Sequence, residues 1–277
     1  MAGLPSSAGS GLAGLRRLGY RRRIITWTAA GLALAAVFLC GEARGGAWPT
    51  PQGKTLAILK YERAEADEAF DLSGDRYNHS ESLDETASLY VEHGLTGRIT
   101  LQGKLAAVRG EASASDTEYS GRGPIEFGVR YLAWRGRRSV VSLYLGGVLA
   151  GEGRNAGYAE PGAGSTDVEA RVLAGRSFTV AGRPAFVEVQ AARLTRVDLS
   201  NETRLDLTVG VEPRPEWLVM AQTYSGRAES GAEWTKLETS AVRRLGPWRA
   251  QAGWRFSLFG KTGLAESGPV LALWRTF

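Results

Sequence analysis

From Trp48 onward apolar and polar residues take turns along the chain, one by one, and few folds accept such a pattern. In Arg204 to Glu212, Leu205, Leu207, Val209 and Val211 fall between Arg204, Asp206, Thr208, Gly210 and Glu212. Successive side chains of a strand point to opposite faces, so a period of two describes a strand with one apolar and one polar face. Leu83 to Glu92 follows the rule, with Glu85 as the one interruption of the apolar face, and so does Arg98 to Val108. Twelve stretches qualify: 54–61, 82–92, 98–108, 123–134, 139–150, 166–176, 185–193, 203–212, 217–224, 234–243, 248–256 and 269–277. Most are long enough to cross a bilayer at a tilt, which takes about 9–11 residues, whereas soluble strands usually run about 5–6.

The connections alternate too. His93–Gly97, Arg135–Arg138, Pro213–Glu216 and Arg244–Pro247 are short, and Ser177–Pro184 is somewhat longer. Between them come longer polar links such as Glu62–Glu81, Arg109–Arg122 and Gly151–Ser165. Short turns on one side and long loops on the other, with an even strand count, describe an all-β, up-and-down antiparallel transmembrane barrel of about twelve strands. Its two termini then share the short-turn, periplasmic side. No plug is expected, because too little chain precedes the first strand. Aromatic residues near strand ends fit two interfacial girdles: Trp48, Trp134, Trp217, Trp248 and Phe277 on the short-turn side, Tyr61, Tyr224, Trp234 and Phe256 on the other.

The chain's net charge of +5 suggests a nucleic-acid partner until it is located. Residues 1–47 hold Arg16, Arg17, Arg21, Arg22, Arg23 and Arg44 against the single acid Glu42; taking these from 34 bases and 29 acids leaves 28 of each. No basic footprint for nucleic acid survives. The arginines precede an apolar run, Ile24 to Leu39, and small residues follow at Gly45, Gly46 and Ala47. That order is a secretory signal peptide, 1–47, with cleavage expected after Ala47 and after Ala43 as the alternative. The barrel then occupies 48–277. Cys40, the only cysteine, leaves with the signal, so no disulfide or thiol chemistry is expected.

Two segments carry a resemblance. Leu273-Trp274-Arg275-Thr276-Phe277 resembles the C-terminal signal of outer-membrane barrels, which implies a partner in the barrel-assembly machinery and Phe277 as the assembly residue, although Arg275 falls on the apolar face. Ala47-Trp48-Pro49 with Gln52-Gly53-Lys54 is similar to the opening of XagA-like and phenol-degradation-pathway-type barrel proteins. The resemblance implies movement of small hydrophobic compounds, or help with polysaccharide export, across the outer membrane of a Gram-negative cell, among outer-membrane lipids.

The polar faces would line the lumen. They carry Asp84, Glu92, Lys104, Glu126, Arg130, Asp167, Glu169, Arg171, Glu188, Arg204, Asp206, Lys236, Glu238, Arg249 and Arg255. A strongly selective ion pore would show one dominant sign. Here the signs balance. The expectation is a narrow channel or passive transporter for a neutral or zwitterionic solute or a small organic molecule; the alternative is a structural barrel whose lumen is filled by paired charges.

Enzyme chemistry finds little support. A lipid-modifying barrel needs an activated nucleophile, and the chain has only His79, in Asn78-His79-Ser80-Glu81-Ser82, and His93, in a short turn. Glu65, Asp67, Glu68, Asp71 and Asp75 could bind a cation, but the spacing lacks the closing glutamate of a calcium loop. Gly151 to Gly157 looks like a phosphate loop yet opens no helix. No catalytic residue, metal or cofactor is therefore assigned.

Overall fold

The computed structural model describes residues 46–112 and 117–277. Residues 1–45, with almost all of the expected signal peptide, and 113–116 lie outside the described residues.

The alternating stretches are strands. In chain order they are β1 (Thr55–Phe70), β2 (Arg76–Gly94), β3 (Ile99–Ala112), β4 (Thr117–Arg122), β5 (Ile125–Arg135), β6 (Ser139–Leu149), β7 (Thr166–Val180), β8 (Arg183–Arg196), β9 (Glu202–Arg214), β10 (Trp217–Ala228), β11 (Glu233–Leu245), β12 (Trp248–Lys261), β13 (Gly263–Leu264) and β14 (Ser267–Thr276). Every neighbouring pair is antiparallel, and β14 returns to β1 with Leu56 opposite Thr276 and Glu62 opposite Val270. β4 and β5 both pair with β3 and are two halves of one wall strand, parted at Gly123-Pro124, where proline has no N–H to give. β13 and β14 both pair with β1 and form the twelfth strand. The result is a closed twelve-stranded barrel, the solution that leaves no edge unpaired.

The outer face is apolar because it has to be. Leu205, Leu207 and Val209 of β9, Leu143 and Leu145 of β6, and Leu271 and Leu273 of β14 are all exposed. The residues between them face inward, and elsewhere in the wall inward polar side chains such as Thr100, Ser142 and Glu238 are fully buried. This inversion of a soluble protein suits a bilayer, with lipid outside and polar groups inside. Trp134, Trp248 and Phe277 are exposed near the short-turn end. Arg275 lies over the rings of both Trp248 and Phe277, 4.8 and 4.7 Å from their centroids. That explains the cation on an apolar face: its stem covers apolar surface while its head rests on aromatic faces at the interface.

Strands run further than alternation indicated. Glu62 to Glu81, expected as a loop, is mostly the top of the β1–β2 hairpin, paired as far as Phe70 opposite Arg76. Sixteen residues of β1 rise roughly 50 Å along the strand at about 3.3 Å each, more than an apolar band of about 25 Å requires. The protruding part lies beyond the apolar band, so its outward residues need not be apolar: Glu65 and Asp67 are exposed while Ala66, Ala69 and Phe70 are buried. Asp71 closes the hairpin by accepting from the Ser73 and Asp75 amides at 2.7 and 3.0 Å. Its role is that of a turn residue.

Phe277 N–H donates to the Thr55 carbonyl at 2.8 Å, so the last residue closes the seam between first and last strands. Deleting Phe277 is expected to slow assembly and lower the folded fraction at the outer membrane, measured as the heat-modifiable band on a gel. Wild-type levels of folded protein would contradict this role.

Candidate functional site

The lumen is entered from both ends by chain segments. Ahead of β1, residues 46–53 fold into the barrel as a strap. Gly94 makes this approach feasible: a Cβ there would sit 2.2 Å from the Pro51 carbonyl and 2.5 Å from that of Thr50. The strap is held by side chains of separate strands. Ala47 N–H donates to Glu188 on β8 at 2.8 Å, and its carbonyl accepts from Ser142 on β6 at 2.7 Å. Thr50 Oγ1 donates to Glu92 on β2 at 2.5 Å, and Thr50 N–H donates to Thr100 on β3 at 3.1 Å. Ala47 is fully buried among Leu132, Val140, Tyr144 and Leu173. No plug is expected ahead of the first strand, yet a short strap, residues 46–53, fills part of the lumen there.

Trp48 is corrected. It belongs to the strap and not to a girdle: its ring meets Phe186 edge-on at 5.9 Å and covers Gly175, where a Cβ would come within 2.5 Å of it. Tyr224 and Trp234 also leave the expected outer girdle. Arg255 lies over the Tyr224 ring at 4.7 Å inside the barrel, and Trp234 packs near Tyr158 at 6.2 Å.

Arg130 is the centre of the strap network. It is 1% exposed and gives Nη1 and Nη2 to the two Glu92 oxygens at 2.9 Å each, and Nη2 also to the Trp48 carbonyl at 3.0 Å. Tyr90 and Gln102 complete the Glu92 shell at 2.6 and 2.9 Å. A buried charge pair is tolerable when its donors and acceptors are occupied; here the Glu92 oxygens are, while Arg130 Nε is buried without a partner.

From the opposite end the loop 150–165 folds inward. Asn155 shapes it by bonding Gly151 through both N–H and carbonyl, at 2.8 and 2.9 Å, and the Ala163 carbonyl at 2.8 Å. This is what became of the glycine-rich segment: a self-bonded loop. Arg154 reaches Asp84 at 3.3 Å, and Arg196 bonds the Asn155 carbonyl at 3.0 Å while pairing with Asp167 at 3.0 Å and with Glu202. Tyr158 donates to Glu202 at 2.9 Å, and burial together with that carboxylate pushes its hydroxyl up to about 12.

Above the strap lies a cavity of about 300 Å³ lined by Tyr90, Gln102, Lys104, Glu126, Arg130, Tyr144, Arg171, Leu173, Gln190 and Arg204, with Gly46 at its edge. A smaller one of about 40 Å³ is bounded by Glu62, Lys236, Arg255 and Glu266. Of the residues expected in the lumen, Lys104, Glu126, Arg130, Arg171 and Arg204 line the larger cavity directly. Glu169 and Glu188 stand behind them, bonded to Arg171 and to Ala47. Glu238 is wholly buried between Arg255 and Lys60, at 2.6 and 3.5 Å. Lys236 pairs with Glu266, Asp84 with Arg154, and Asp206 lies across from Tyr224 and Gln190. Arg249 sits near the short-turn end of β12, opposite Trp274.

The signs balance in number but not in presentation. The Arg171 side chain is 27% exposed and its partner Glu169 3%; Arg204 is 32% exposed and its partner Glu202 1%. For Arg171 and Arg204 the guanidinium faces the cavity and its carboxylate stands in the wall, whereas Lys104 and Glu126 are exposed about equally, at 30% and 27%, and Arg130 is buried more deeply than Glu92. Sequence reading missed Lys60, Glu62, Arg154, Arg196, Glu202 and the strap. For Lys60 and Glu62 the signal was available, since they share the parity of the β1 lumen face; for Arg154 and the strap no periodicity exists to read.

Both histidines lie on β2 and neither in a turn or loop: His93 Nδ1 is 2.9 Å from Thr55 Oγ1, and His79 Nδ1 is 2.9 Å from the Ser80 carbonyl. Among the described residues no group of three or more His, Cys, Asp or Glu is arranged to hold a metal ion.

No protein-family model matches the chain, and no curated protein sequence matches it. Solved structures do. An outer-membrane channel from Pseudomonas putida F1 superposes with a TM-score of 0.63 at 15% identity, covering 85% of this chain and 100% of that one. The NanC porin superposes with a TM-score of 0.51 at 9% identity, covering 79% of this chain and 98% of that one. At such identities the likeness is one of fold, and the chain has the fold of the bacterial outer-membrane β-barrels.

Proposed function

We propose that this chain is a passive channel of the outer membrane, narrowed from both ends, that carries small polar solutes. One observation supports the reading above others: a polar cavity of about 300 Å³ inside a closed wall whose outer face is apolar. The cavity offers guanidinium, ammonium, amide and phenol donors, and a solute rich in oxygen acceptors can exchange its water for them. The similarity of Ala47–Lys54 to XagA-like and phenol-degradation-pathway-type barrels favours small hydrophobic compounds or export instead; the lining favours polar cargo. Short turns mark the periplasmic side, with both termini there.

A second reading, a structural barrel with a blocked lumen, draws on the strap and the loop 150–165, which take up lumen space at the two ends. Liposome swelling separates the two. Vesicles carrying the folded protein are expected to swell in sugars of triose and pentose size and much more slowly in a trisaccharide. Swelling no faster than that of empty vesicles with any solute would overturn the channel reading.

A further inference from the structure

We infer that the short-turn rim of the barrel is a binding surface for anionic phospholipid, whose headgroup phosphate its arginines take; this rests on the reading above that the rim faces the periplasm. The bases and acids of residues 48–277 balance in number but are sorted between the two ends of the wall. The short turns with their flanking strand ends, 93–99, 134–140, 175–185, 211–218, 242–250 and 273–277, hold eleven arginines against two acids, Glu212 and Glu216. At the other end Glu62–Glu85 alone holds nine acids against two bases. Like charges gathered on one rim repel one another, and an anionic partner relieves that repulsion. Inside the wall arginines have carboxylates: Arg130 has Glu92, Arg171 has Glu169 and Arg204 has Glu202. Among the described residues Arg98, Arg135, Arg176, Arg183, Arg243 and Arg275 of the rim enter no ion pair.

Position selects lipid over a soluble partner. Arg243 lies over the Trp217 ring at 5.5 Å, Arg275 lies over Trp248 and Phe277, and Arg98 Nη1 donates to the Tyr131 hydroxyl at 3.4 Å. Tyr131, Trp248 and Phe277 are exposed on the outer face. Arg176 stands opposite Val187, which shares a strand face with exposed Val189. These guanidinium groups therefore edge the apolar band, at the depth where headgroups lie, and do not cross the mouth of the barrel. A guanidinium resting its face on an aromatic ring keeps its edge free, and that fork of N–H donors fits two oxygens of a phosphodiester. The periplasmic leaflet of an outer membrane is its phospholipid leaflet. An anionic headgroup brings the net charge that a zwitterionic one lacks, and each cation near such a surface adds to the attraction.

The test reads tryptophan quenching of the folded full chain in phosphatidylcholine vesicles that carry brominated phosphatidylglycerol or, in parallel, brominated phosphatidylcholine. At low salt the brominated phosphatidylglycerol is expected to bind about fivefold more tightly, the factor that one cation near the surface gives. That preference should vanish at 1 M salt, where the Debye length is about 3 Å. A chain with Arg98→Gln, Arg176→Gln and Arg243→Gln should lose most of it, and one with Arg63→Gln and Arg76→Gln at the other end should keep it. Should the triple variant fail to fold, its three single substitutions replace it, each expected to lose part of the preference. Equal quenching by the two lipids in wild type overturns the inference, and so does an equal loss from substitutions at either end. Orientation has its own readout. Arg137→Cys, in the turn between β5 and β6, is expected to react with a membrane-impermeant maleimide only after the outer membrane is permeabilised. Labelling on intact cells overturns the periplasmic placing of the rim, whatever the quenching shows.

Discussion

Arg130→Ala is expected to cost about 3–5 kcal/mol, because it leaves Glu92 buried without its cation, and to free the strap at Trp48. Two readouts follow. The temperature at which the folded gel band converts to the unfolded one should fall, and the conductance of the protein that does fold should rise. Glu92→Gln on the same background should recover part of the lost stability, since the amide that replaces the carboxylate carries no charge. A double-mutant cycle apportions the pair. Unchanged stability in Arg130→Ala would mean that the Arg130–Glu92–Thr50 network is not what secures the strap.

The second large effect lies on the outer wall. Leu207 is exposed on β9 between Val189 of β8 and Thr223 of β10, in the middle of the strand and so near the centre of the apolar band. An arginine there is expected to cost about 2–4 kcal/mol by facing hydrocarbon. Thr208 is its neighbour in sequence and faces Gln222, whose amide donates to it at 3.2 Å in the lumen. Thr208→Arg meets water and other polar groups, so it should assemble close to wild-type yield while Leu207→Arg falls well below. Equal yields on heat-modifiability gels would contradict the register of β9.

These two sites also show what was legible in the sequence. Leu207 and Thr208 could be assigned to opposite faces from alternation alone, because a strand has a period of two and each face meets one solvent. The same rule reaches most inward charges of the strands from Asp84 to Arg255, but not Arg196 and Glu202 at strand ends or Arg154 in a loop. It fails beyond the apolar band, as in Glu62 to Phe70, where outward positions such as Glu65 and Asp67 are polar, so β1 and β2 were read too short at their outer ends. It also fails where there is no strand. Ala47 bonds Glu188, 141 residues away in sequence, and nothing local in Gly46–Gly53 reports that contact. Trp48, Tyr224 and Trp234 were misplaced for a different reason: nearness to a strand end does not say which face a ring is on. Parity does for Tyr224, which shares the face of Gln222. The balance of charge was legible, but not its presentation, since which partner of Arg171–Glu169 lies closer to the cavity depends on side-chain length and on the packing behind it.

The central claim is that a narrow polar passage runs through this barrel and that the strap sets its width. Single-channel recording in planar bilayers tests it directly, comparing wild type with a chain lacking residues 46–50 of the strap, both at 1 M salt, where the Debye length of about 3 Å mutes the charges and leaves width as the main variable. The expected result is a small, steady conductance for wild type and a several-fold larger one for the shortened chain. No current from either protein, with both shown to be folded by gel, would contradict a channel and return the barrel to a structural role.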